Sequence, residues 1–344
     1  MMWRAGIVGC GRIGCGFDDD PKRKYVSTHA GAYWRMPSVE LAALCDLDEN
    51  KVNRYADKFE VRGRYTDVGR MLEEEGLDIL SICTSSSSHL EIVRAATESN
   101  VKAIFCEKPI ADSLDAADEM IQLCNERGAV LIINHQRRFD PMHQQIAHCL
   151  KSGKLGRLQQ VTCYYTAGVS NTGTHLFDLL RFYLGDLEWV DGMLSANLSK
   201  NEADPNIDAW LCFQNGAIAS IQACDVSAYT IFEITVLGTK GRLRLGAHGY
   251  QVECEEARES ERYSGYRELF PTGPPFDSSS SHELMLYGVA HVIDCLESGR
   301  RPISGGEDGR AALEIILALR QSAAEGRGRV SLPLAGRALS VCSR

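Results

Sequence analysis

The sequence predicts an α/β protein in which a doubly wound parallel sheet is followed by an α+β domain with a large, mostly antiparallel sheet. Apolar runs alternate with helical stretches in the first third of the chain, and tight-turn signals separate β-rich runs after about residue 158. The length of 344 residues exceeds the size at which single cores usually stop growing. We therefore expect two domains, at residues 1–128 and 129–344.

The strands of the first domain are predicted by β-rich runs that are apolar almost throughout, a pattern typical of strands buried on both faces. Helical stretches with charged outer faces lie between them, and this alternation is typical of parallel sheets. The strands are expected at 3–8, 39–45, 79–83, 102–106 and 129–133, and the helices at 49–59, 67–75, 89–99 and 115–126.

Turn signals dominate the second domain. Asn215-Gly216 and the glycine-flanked turn at 238–241 each separate two β-rich runs, and Asn-Gly is a strong hairpin signal. Helices are expected at 172–184, 282–297 and 307–325. Together these features predict an antiparallel or mixed sheet with helices on one face.

Composition excludes several classes of protein. Hydrophobic residues make up 44% and charged residues 24%, as in ordinary globular proteins, and the net charge of -9 argues against nucleic acid as the partner. No apolar run approaches the roughly 20 residues that span a bilayer, and no export signal is recognisable, so we expect a cytoplasmic protein without membrane contact. The 13 cysteines lack zinc-type spacing, so reduced thiols and no metal site are expected.

A glycine-rich motif directly follows the first predicted strand. Glycines in this G-x-G-x-x-G pattern allow a tight turn and let backbone N–H groups approach a pyrophosphate at a helix N-terminus. The context predicts a Rossmann-type dinucleotide-binding domain. The motif reads Gly9-Cys10-Gly11-Arg12-Ile13-Gly14.

An acidic residue, Asp46, ends the second predicted strand. Its carboxylate can accept hydrogen bonds from the adenosine ribose and would repel a 2'-phosphate, which favours NAD over NADP. The alternative is that Asp46 only caps the next helix. The spacing from Gly14 is longer than usual because residues 15–26 look like an insertion, after which a helix is expected to continue near Thr28. The basic run of the insertion at 22–24 is interpreted as a solvated loop, with a contact to phosphate or substrate as the alternative.

Several segments resemble one family. Glu107-Lys108-Pro109 at the end of a predicted strand resembles the E-K-P signature of the glucose-fructose oxidoreductase and inositol dehydrogenase (Gfo/Idh/MocA) family. Other similar segments follow in the family's order over nearly the whole chain. They are Ser81-Ile82-Cys83-Thr84 with His89, the segments at 134–141 and 153–156, the helix at 173–180, and the segment at 322–326.

The resemblance implies a set of site residues. It makes Lys108 and His175 the catalytic pair. His175 is the better general base on intrinsic grounds, because an unperturbed imidazole titrates near neutral pH. The residues expected to bind the cofactor are Gly9, Gly11, Arg12, Ile13, Gly14, Asp46, Thr84, His89, Glu107 and Lys108, and those expected to contact the substrate are Lys108, Arg137, Tyr164, Asn171 and His175.

Asn171 departs from the family pattern. Many dehydrogenases of this family carry Asp four residues before the histidine, whereas this chain has Asn171. A neutral amide can hold a substrate hydroxyl but cannot take its proton. Asp178, one helical turn after His175, could orient the imidazole instead.

The resemblance implies hydride transfer between a ring hydroxyl carbon of a sugar, cyclitol or sugar nucleotide and NAD. Two alternatives stay open: a non-catalytic, NAD-dependent sugar-sensing regulator, and a redox-neutral enzyme with tightly held NAD. The family resemblance also implies a homodimer or homotetramer that assembles through the sheet of the second domain.

Overall fold

The computed structural model describes residues 2–278, 282–336 and 339–341. These residues form two compact units, one of residues 2–139 and 282–311, the other of residues 140–278, 312–336 and 339–341. Within the described ranges, no helix is both long enough and apolar enough to cross a bilayer.

The first unit is built on a six-stranded parallel sheet with the order β3-β2-β1-β4-β5-β6. The order reverses between β1 and β4, as in doubly wound folds, which confirms the predicted fold class of this part. The strands are β1 (Trp3–Val8), β2 (Val39–Cys45), β3 (Gly63–Tyr65), β4 (Ile79–Ile82), β5 (Ala103–Cys106) and β6 (Val130–Ile133), and the helices between them are α1 (His29–Arg35), α2 (Glu49–Phe59), α3 (Val68–Glu75), α4 (His89–Glu98) and α5 (Leu114–Arg127).

The expected domain boundary after residue 128 is corrected by the structure. Strand β6 pairs in parallel with β5, so the first unit extends to residue 139. A helix from late in the chain, α8 (Leu284–Ser298), also belongs here, because Met285, Val289 and Val292 join the core of this unit. Backbone hydrogen bonding and the apolar face of α8 decide the boundary, and neither is visible in the local pattern.

The second unit contains a nine-stranded sheet with the order β14-β13-β12-β11-β7-β10-β9-β8-β15. The β7–β10 pair is parallel and the other pairs are antiparallel, which confirms the predicted mostly antiparallel sheet. The strands are β7 (Leu158–Tyr165), β8 (Leu187–Leu194), β9 (Ile207–Phe213), β10 (Ile218–Ala223), β11 (Glu233–Gly238), β12 (Gly241–Gly246), β13 (Gln251–Glu259), β14 (Arg267–Thr272) and β15 (Val330–Ser331), and the helices are α6 (Pro141–Lys151), α7 (Gly173–Leu184) and the part of α9 (Gly306–Ala324) from residue 312 onward.

Helix α7 packs on one face of this sheet. Tyr165 at the end of β7 meets Phe177 of α7 edge to face, with ring centroids 6.4 Å apart. The Tyr165 hydroxyl also bonds to the backbone of Ile207 at the start of β9, so this aromatic residue ties the helix to two strands. The opposite face carries alternate residues that are only partly buried.

Candidate cofactor and active-site residues

The glycine loop leaves room for a ligand at one position. Gly9 has a φ of +97°, and a Cβ there would lie 2.7 Å from the carbonyl group of Cys83, while a Cβ on Gly14 would collide with the carbonyl oxygen of Gly9. A Cβ on Gly11 would have no heavy atom within 4 Å. Close packing therefore explains why residues 9 and 14 are glycines. Gly11, in contrast, leaves open a space that a pyrophosphate can approach. The loop fits the dinucleotide that the motif predicts.

The loop continues into a single π-helical turn at residues 12–16 rather than into a long helix. Arg12 and Ile13 lie in this turn, and Arg12 is exposed with its guanidinium 4.7 Å from the ring centre of Phe17. The chain then makes an excursion before α1 begins at His29, after the N-cap residue Thr28. This excursion corresponds to the expected insertion.

The basic run at 22–24 lies at the exposed tip of the insertion. Arg23 stacks on the Phe17 ring at 4.0 Å and lies 3.9 Å from Asp20. Its contacts are thus made within the loop, which supports the interpretation of a solvated surface segment.

Asp46 is tied to the glycine loop. One carboxylate oxygen accepts the N–H of Cys10 at 2.7 Å, and the other accepts the N–H of Asp48 at 2.9 Å. The N-cap of α2 is Asp48, not Asp46, so the capping interpretation of Asp46 is wrong. Each carboxylate oxygen can accept a second hydrogen bond, so Asp46 keeps acceptors for a ribose diol.

Thr84 and His89 lie after β4. The His89 ring is buried, with Nδ1 3.0 Å from the carbonyl oxygen of Ile110 and Nε2 3.2 Å from that of Thr84. Desolvation lowers the pKa of His89, so the ring is neutral near neutral pH. The structure therefore places the imidazole inside the unit, where it braces the Thr84 segment.

Glu107 and Lys108 follow β5 at the carboxyl edge of the sheet. The Glu107 side chain is buried, and its Oε1 accepts hydrogen bonds from His29 Nε2 at 3.0 Å and from Asn134 Nδ2 at 2.6 Å. Burial by itself raises the pKa of Glu107, but the His29 hydrogen bond and the charge of Lys108 outweigh it, so the pKa lies below its ordinary value. Lys108 is half-buried beside this carboxylate.

The two arginines after β6 differ in their exposure to solvent. Arg137 is half-buried, whereas Arg138 is 4% exposed, donates to the carbonyl oxygen of Ile303 and pairs with Asp308 at 3.0 Å. Arg138 is thus a structural residue of the first unit. Arg137 is the one of the pair that keeps solvent access for a substrate contact.

In the second unit, Asn171 and His175 lie at the start of α7. His175 is half-buried in the first turn of the helix, and Asn171 precedes it with Nδ2 donating to the carbonyl oxygen of Ala167 at 3.2 Å. Asp178 is buried one turn further along. Asn171 and His175 thus lie four positions apart where the loop enters α7, and their common contact with the substrate stays a prediction.

A buried aspartate holds this loop in place. Asp204 accepts the backbone N–H groups of Ser170 at 2.7 Å and of Asn171 at 2.9 Å. Burial raises the pKa of Asp204, although these two N–H groups stabilise its carboxylate. Asn206 accepts the N–H of Gly168 at 2.9 Å. The backbone of the Asn171 segment is therefore fixed by a second loop.

Tyr164 is not brought to the other residues. Because strand residues alternate between faces, Tyr164 points away from the face on which Tyr165 packs against Phe177 of α7. The expected contact of Tyr164 with the substrate alongside Asn171 and His175 is therefore wrong.

His29, Asp204 and Asn206 are site residues that sequence reasoning missed. His29 follows a Ser-Thr pair that caps a helix, and the two others flank Pro205 in a polar loop. These signals indicate a helix start and a turn, but they do not reveal the partners. The His29–Glu107 contact, for example, joins residues 78 positions apart.

A glycine loop open to a pyrophosphate, an acidic residue after β2 and a lysine after β5 define the class of NAD-dependent oxidoreductases. Comparison with known families agrees. Residues 3–135 match the Gfo/Idh/MocA family model described as an oxidoreductase family with an NAD-binding Rossmann fold, and residues 166–332 match the C-terminal α/β domain of the same family. The chain belongs to the Gfo/Idh/MocA oxidoreductase family, which confirms the predicted family, enzyme class and cofactor.

Similar proteins extend over most of the chain. The D-apiose dehydrogenase of Paraburkholderia graminis is 28% identical over 92% of this chain and 87% of its own length. The myo-inositol 2-dehydrogenase of Thermotoga maritima is 26% identical over 94% of this chain and 97% of its own.

Solved structures show the same fold. The WlbA dehydrogenase from Bordetella pertussis, in complex with NADH and UDP-GlcNAcA, is 24% identical with a TM-score of 0.78, covering 97% of this chain and 100% of that one. A levoglucosan dehydrogenase in complex with NADH and L-sorbose is 18% identical with a TM-score of 0.79 and the same coverage.

Proposed function

We propose that the protein transfers a hydride between a ring hydroxyl carbon of a sugar, cyclitol or sugar nucleotide and NAD, and that Lys108 and His175 handle the hydroxyl proton. The D-apiose and myo-inositol dehydrogenases among its relatives support this substrate class. The observation that carries the proposal is the position of Lys108. It follows β5, two strands from the glycine loop after β1, or about 10 Å at the usual strand spacing.

The two side chains have different roles. The Glu107 carboxylate favours the ammonium form of Lys108, which can donate to the substrate oxygen and stabilise negative charge as the proton leaves. His175, half-buried at the start of α7, then accepts the proton, because an imidazole titrates near working pH. Bound NAD supplies the hydride acceptor.

The neighbouring residues orient the substrate and the cofactor. Asn171 and Arg137 present N–H donors that suit sugar hydroxyls or an anionic group. Asp204 fixes the backbone of Asn171, and His89 braces the Thr84 segment. Asp46 binds the adenosine ribose and so selects NAD. We further propose that the protein acts in the cytoplasm and assembles as a homodimer or homotetramer through the open face of the nine-stranded sheet.

A substrate panel tests the reaction. NADH formation is measured with NAD and a set of aldoses, inositols and sugar nucleotides, and at least one class is expected to give sustained NADH. Lys108→Ala and His175→Ala are each expected to lower turnover roughly 100-fold to 10,000-fold while NAD affinity changes little, because both act on the hydroxyl. The acidic limb of the pH–rate profile should vanish in His175→Ala.

Lys102→Ala is the matched control. Lys102 stands just before β5, at the amino end of the strand that Lys108 follows, and pairs on the surface with Asp78 at 2.8 Å. Its removal should leave turnover unchanged. Normal turnover in Lys108→Ala would overturn the role of this lysine. Purified protein that carries NAD but forms no NADH with any substrate would contradict the net oxidation and favour redox-neutral chemistry.

A further inference from the structure

A cluster of buried polar side chains lies behind Lys108 in the first unit. His29 Nε2 is 3.0 Å and Asn134 Nδ2 is 2.6 Å from the same oxygen of Glu107. On the other side of the imidazole, His29 Nδ1 is 2.8 Å from the hydroxyl of Ser81, which is 2.8 Å from the hydroxyl of Tyr33. The cluster joins α1, β4, the end of β5 and the end of β6.

The direction of each hydrogen bond follows from the Glu107 carboxylate. An ionised carboxylate only accepts, so His29 Nε2 and Asn134 Nδ2 must donate to it. His29 Nδ1 is then an acceptor, Ser81 donates to it, and Tyr33 donates to Ser81. Burial raises the pKa of Tyr33, which keeps its phenol protonated as this requires. Each donor in this series of hydrogen bonds, from Tyr33 through Ser81 and His29 to Glu107, has an acceptor.

The cluster is closed to solvent and does not form a proton path. His29, Ser81 and Tyr33 are each 0% exposed, so the chain of hydroxyl and imidazole groups ends inside the core. The His29 ring also packs at 4.7 Å on Phe105. A proton placed on Tyr33 has no exit. The arrangement therefore fixes the carboxylate in place instead of moving protons.

Other titratable groups around Glu107 do not compete with it. Burial raises the pKa of the Cys83 and Cys106 thiols far above neutrality, and desolvation lowers the pKa of His89. All three are uncharged near neutral pH. Glu107 is thus a buried negative charge directly next to the half-buried Lys108 in the chain, and the two opposite charges attract each other.

We propose that Glu107 is a positioning residue that holds Lys108 in its ammonium form, and that His29 and Asn134 are the donors that fix its carboxylate. This inference rests on the proposed function, in which the Lys108 ammonium donates to the substrate oxygen while its proton leaves. It adds that α1 contributes to the active site through His29, without touching substrate or cofactor. A charged lysine here stabilises the developing alkoxide, while the proton is left to His175.

The titration of Lys108 tests this proposal directly. Lysines of the full-length protein are dimethylated with isotope-labelled formaldehyde, and the Lys108 signal is assigned by its loss in Lys108→Arg. Glu107→Gln removes the charge but keeps an oxygen that can accept from both His29 and Asn134. The midpoint of the Lys108 titration is expected to fall by about one pH unit or more, the usual effect of losing an adjacent opposite charge. The limb of the pH–rate profile that Lys108→Arg alters should move in the same direction.

Further variants keep the test decisive. Glu126→Gln makes the same chemical change at an exposed carboxylate on α5 and should leave the midpoint unchanged. His29→Leu should lower the midpoint of the Lys108 titration less than Glu107→Gln does. His29→Gln keeps an N–H donor, so it should lower the midpoint less than His29→Leu does. These two variants carry the test if Glu107→Gln does not fold.

The outcomes separate the two proposals. An unchanged Lys108 midpoint in Glu107→Gln, or in His29→Leu where that variant replaces it, would overturn the role of the buried cluster. Normal turnover in Lys108→Ala would overturn the catalytic role of the lysine, while the titration would still report on Glu107.

Discussion

Single side chains in this protein combine a structural role with the ligand-binding or catalytic role that we propose for them. Asp46 holds the glycine loop through the N–H of Cys10 and the start of α2 through the N–H of Asp48, while both oxygens keep capacity for the ribose. Glu107 shows the same combination, because it is an acceptor for the core and a charge for Lys108. Replacing either residue therefore affects both stability and activity.

We predict that Asp46→Ser combined with Leu47→Arg shifts cofactor preference from NAD toward NADP by about tenfold or more, because a charge-assisted hydrogen bond is worth about 1.5–3 kcal/mol. Leu47 is 93% exposed, so an arginine there has room to meet a 2'-phosphate. Titration of both cofactors by calorimetry measures the ratio. Asp48→Ser is the control, since serine also caps helices. Tighter binding of NADP than of NAD by the native protein would refute the assignment of Asp46.

The residues that could be predicted from the sequence are those that belong to contiguous motifs. The glycine loop, Lys108 and His175 stand in segments whose residue types and spacing match a known pattern. His29 and Asp204 act on residues 78 and 33 positions away, so no local pattern reveals them. Tyr164 was misplaced because successive side chains of β7 point to opposite faces of the sheet. The sequence did not indicate which of these two faces α7 covers.

At the scale of elements, β3 and α6 were missed. Strand β3 has three residues, too few to show a period, and α1 begins only after the insertion. The insertion is anchored at its end, since Asp18 accepts the N–H of Ser27 at 2.7 Å and also bonds to the hydroxyl of Thr28. This anchor sets where α1 begins and therefore where His29 lies.

The open face of the nine-stranded sheet carries the next prediction. Trp210 on β9 is 45% exposed there, beside Ser220 on β10, in a row that continues to Thr162 on β7. We expect Trp210→Glu to convert the assembly to a monomer, because a charge buried in an interface costs more than the interface gains. Light scattering measures the mass.

Trp34→Glu is the control for this prediction, because Trp34 is an exposed tryptophan on α1, outside the sheet. It should leave the mass unchanged. A mass equal to that of the native assembly in Trp210→Glu would mean that this face is not the interface.

At the scale of the whole molecule, most helices were predicted, but not the sheet that each of them covers. Helix periodicity shows which face of α8 is apolar, and it does not show which sheet that face covers. The structure places α8 in the core of the first unit, together with His291. His291 Nε2 accepts the N–H of Ile303 at 3.0 Å, and Nδ1 lies 2.7 Å from the guanidinium of Arg300.

This histidine makes stability depend on pH. Desolvation and the charge of Arg300 lower the pKa of His291 from 6.5 to about 4, although Asp294 acts in the opposite direction. The unfolded chain then binds a proton first on acidification, so stability is lost as pH falls from 6.5 toward 4. The loss from this one group is at most about 3 kcal/mol.

We therefore predict that His291→Gln, which keeps an acceptor for Ile303 but cannot become charged, flattens the fall of unfolding free energy over that range. Denaturant titrations at a series of pH values measure it. His148→Gln, a change at an exposed histidine of α6, should keep the native slope. Burial raises the pKa of Asp204, so this residue changes the unfolding free energy with pH in the opposite direction. Asp204 is present in the native protein and in both variants, so its contribution is the same in all three. Equal slopes in His291→Gln and the native protein would contradict the prediction.

The contribution of α8 to the first unit also has a consequence for biosynthesis. A ribosome releases the chain from its N-terminus, so the six strands emerge well before residues 284–298, which complete their core. At about 5–20 residues per second, the delay between residues 139 and 298 is roughly 8 to 30 s. During that time the apolar surface that Met285, Val289 and Val292 later cover stays exposed on the nascent chain. We therefore expect the first unit to complete its core, and with it the cofactor site, only near the end of synthesis, and we expect a fragment that ends at residue 139 to aggregate unless a chaperone binds it.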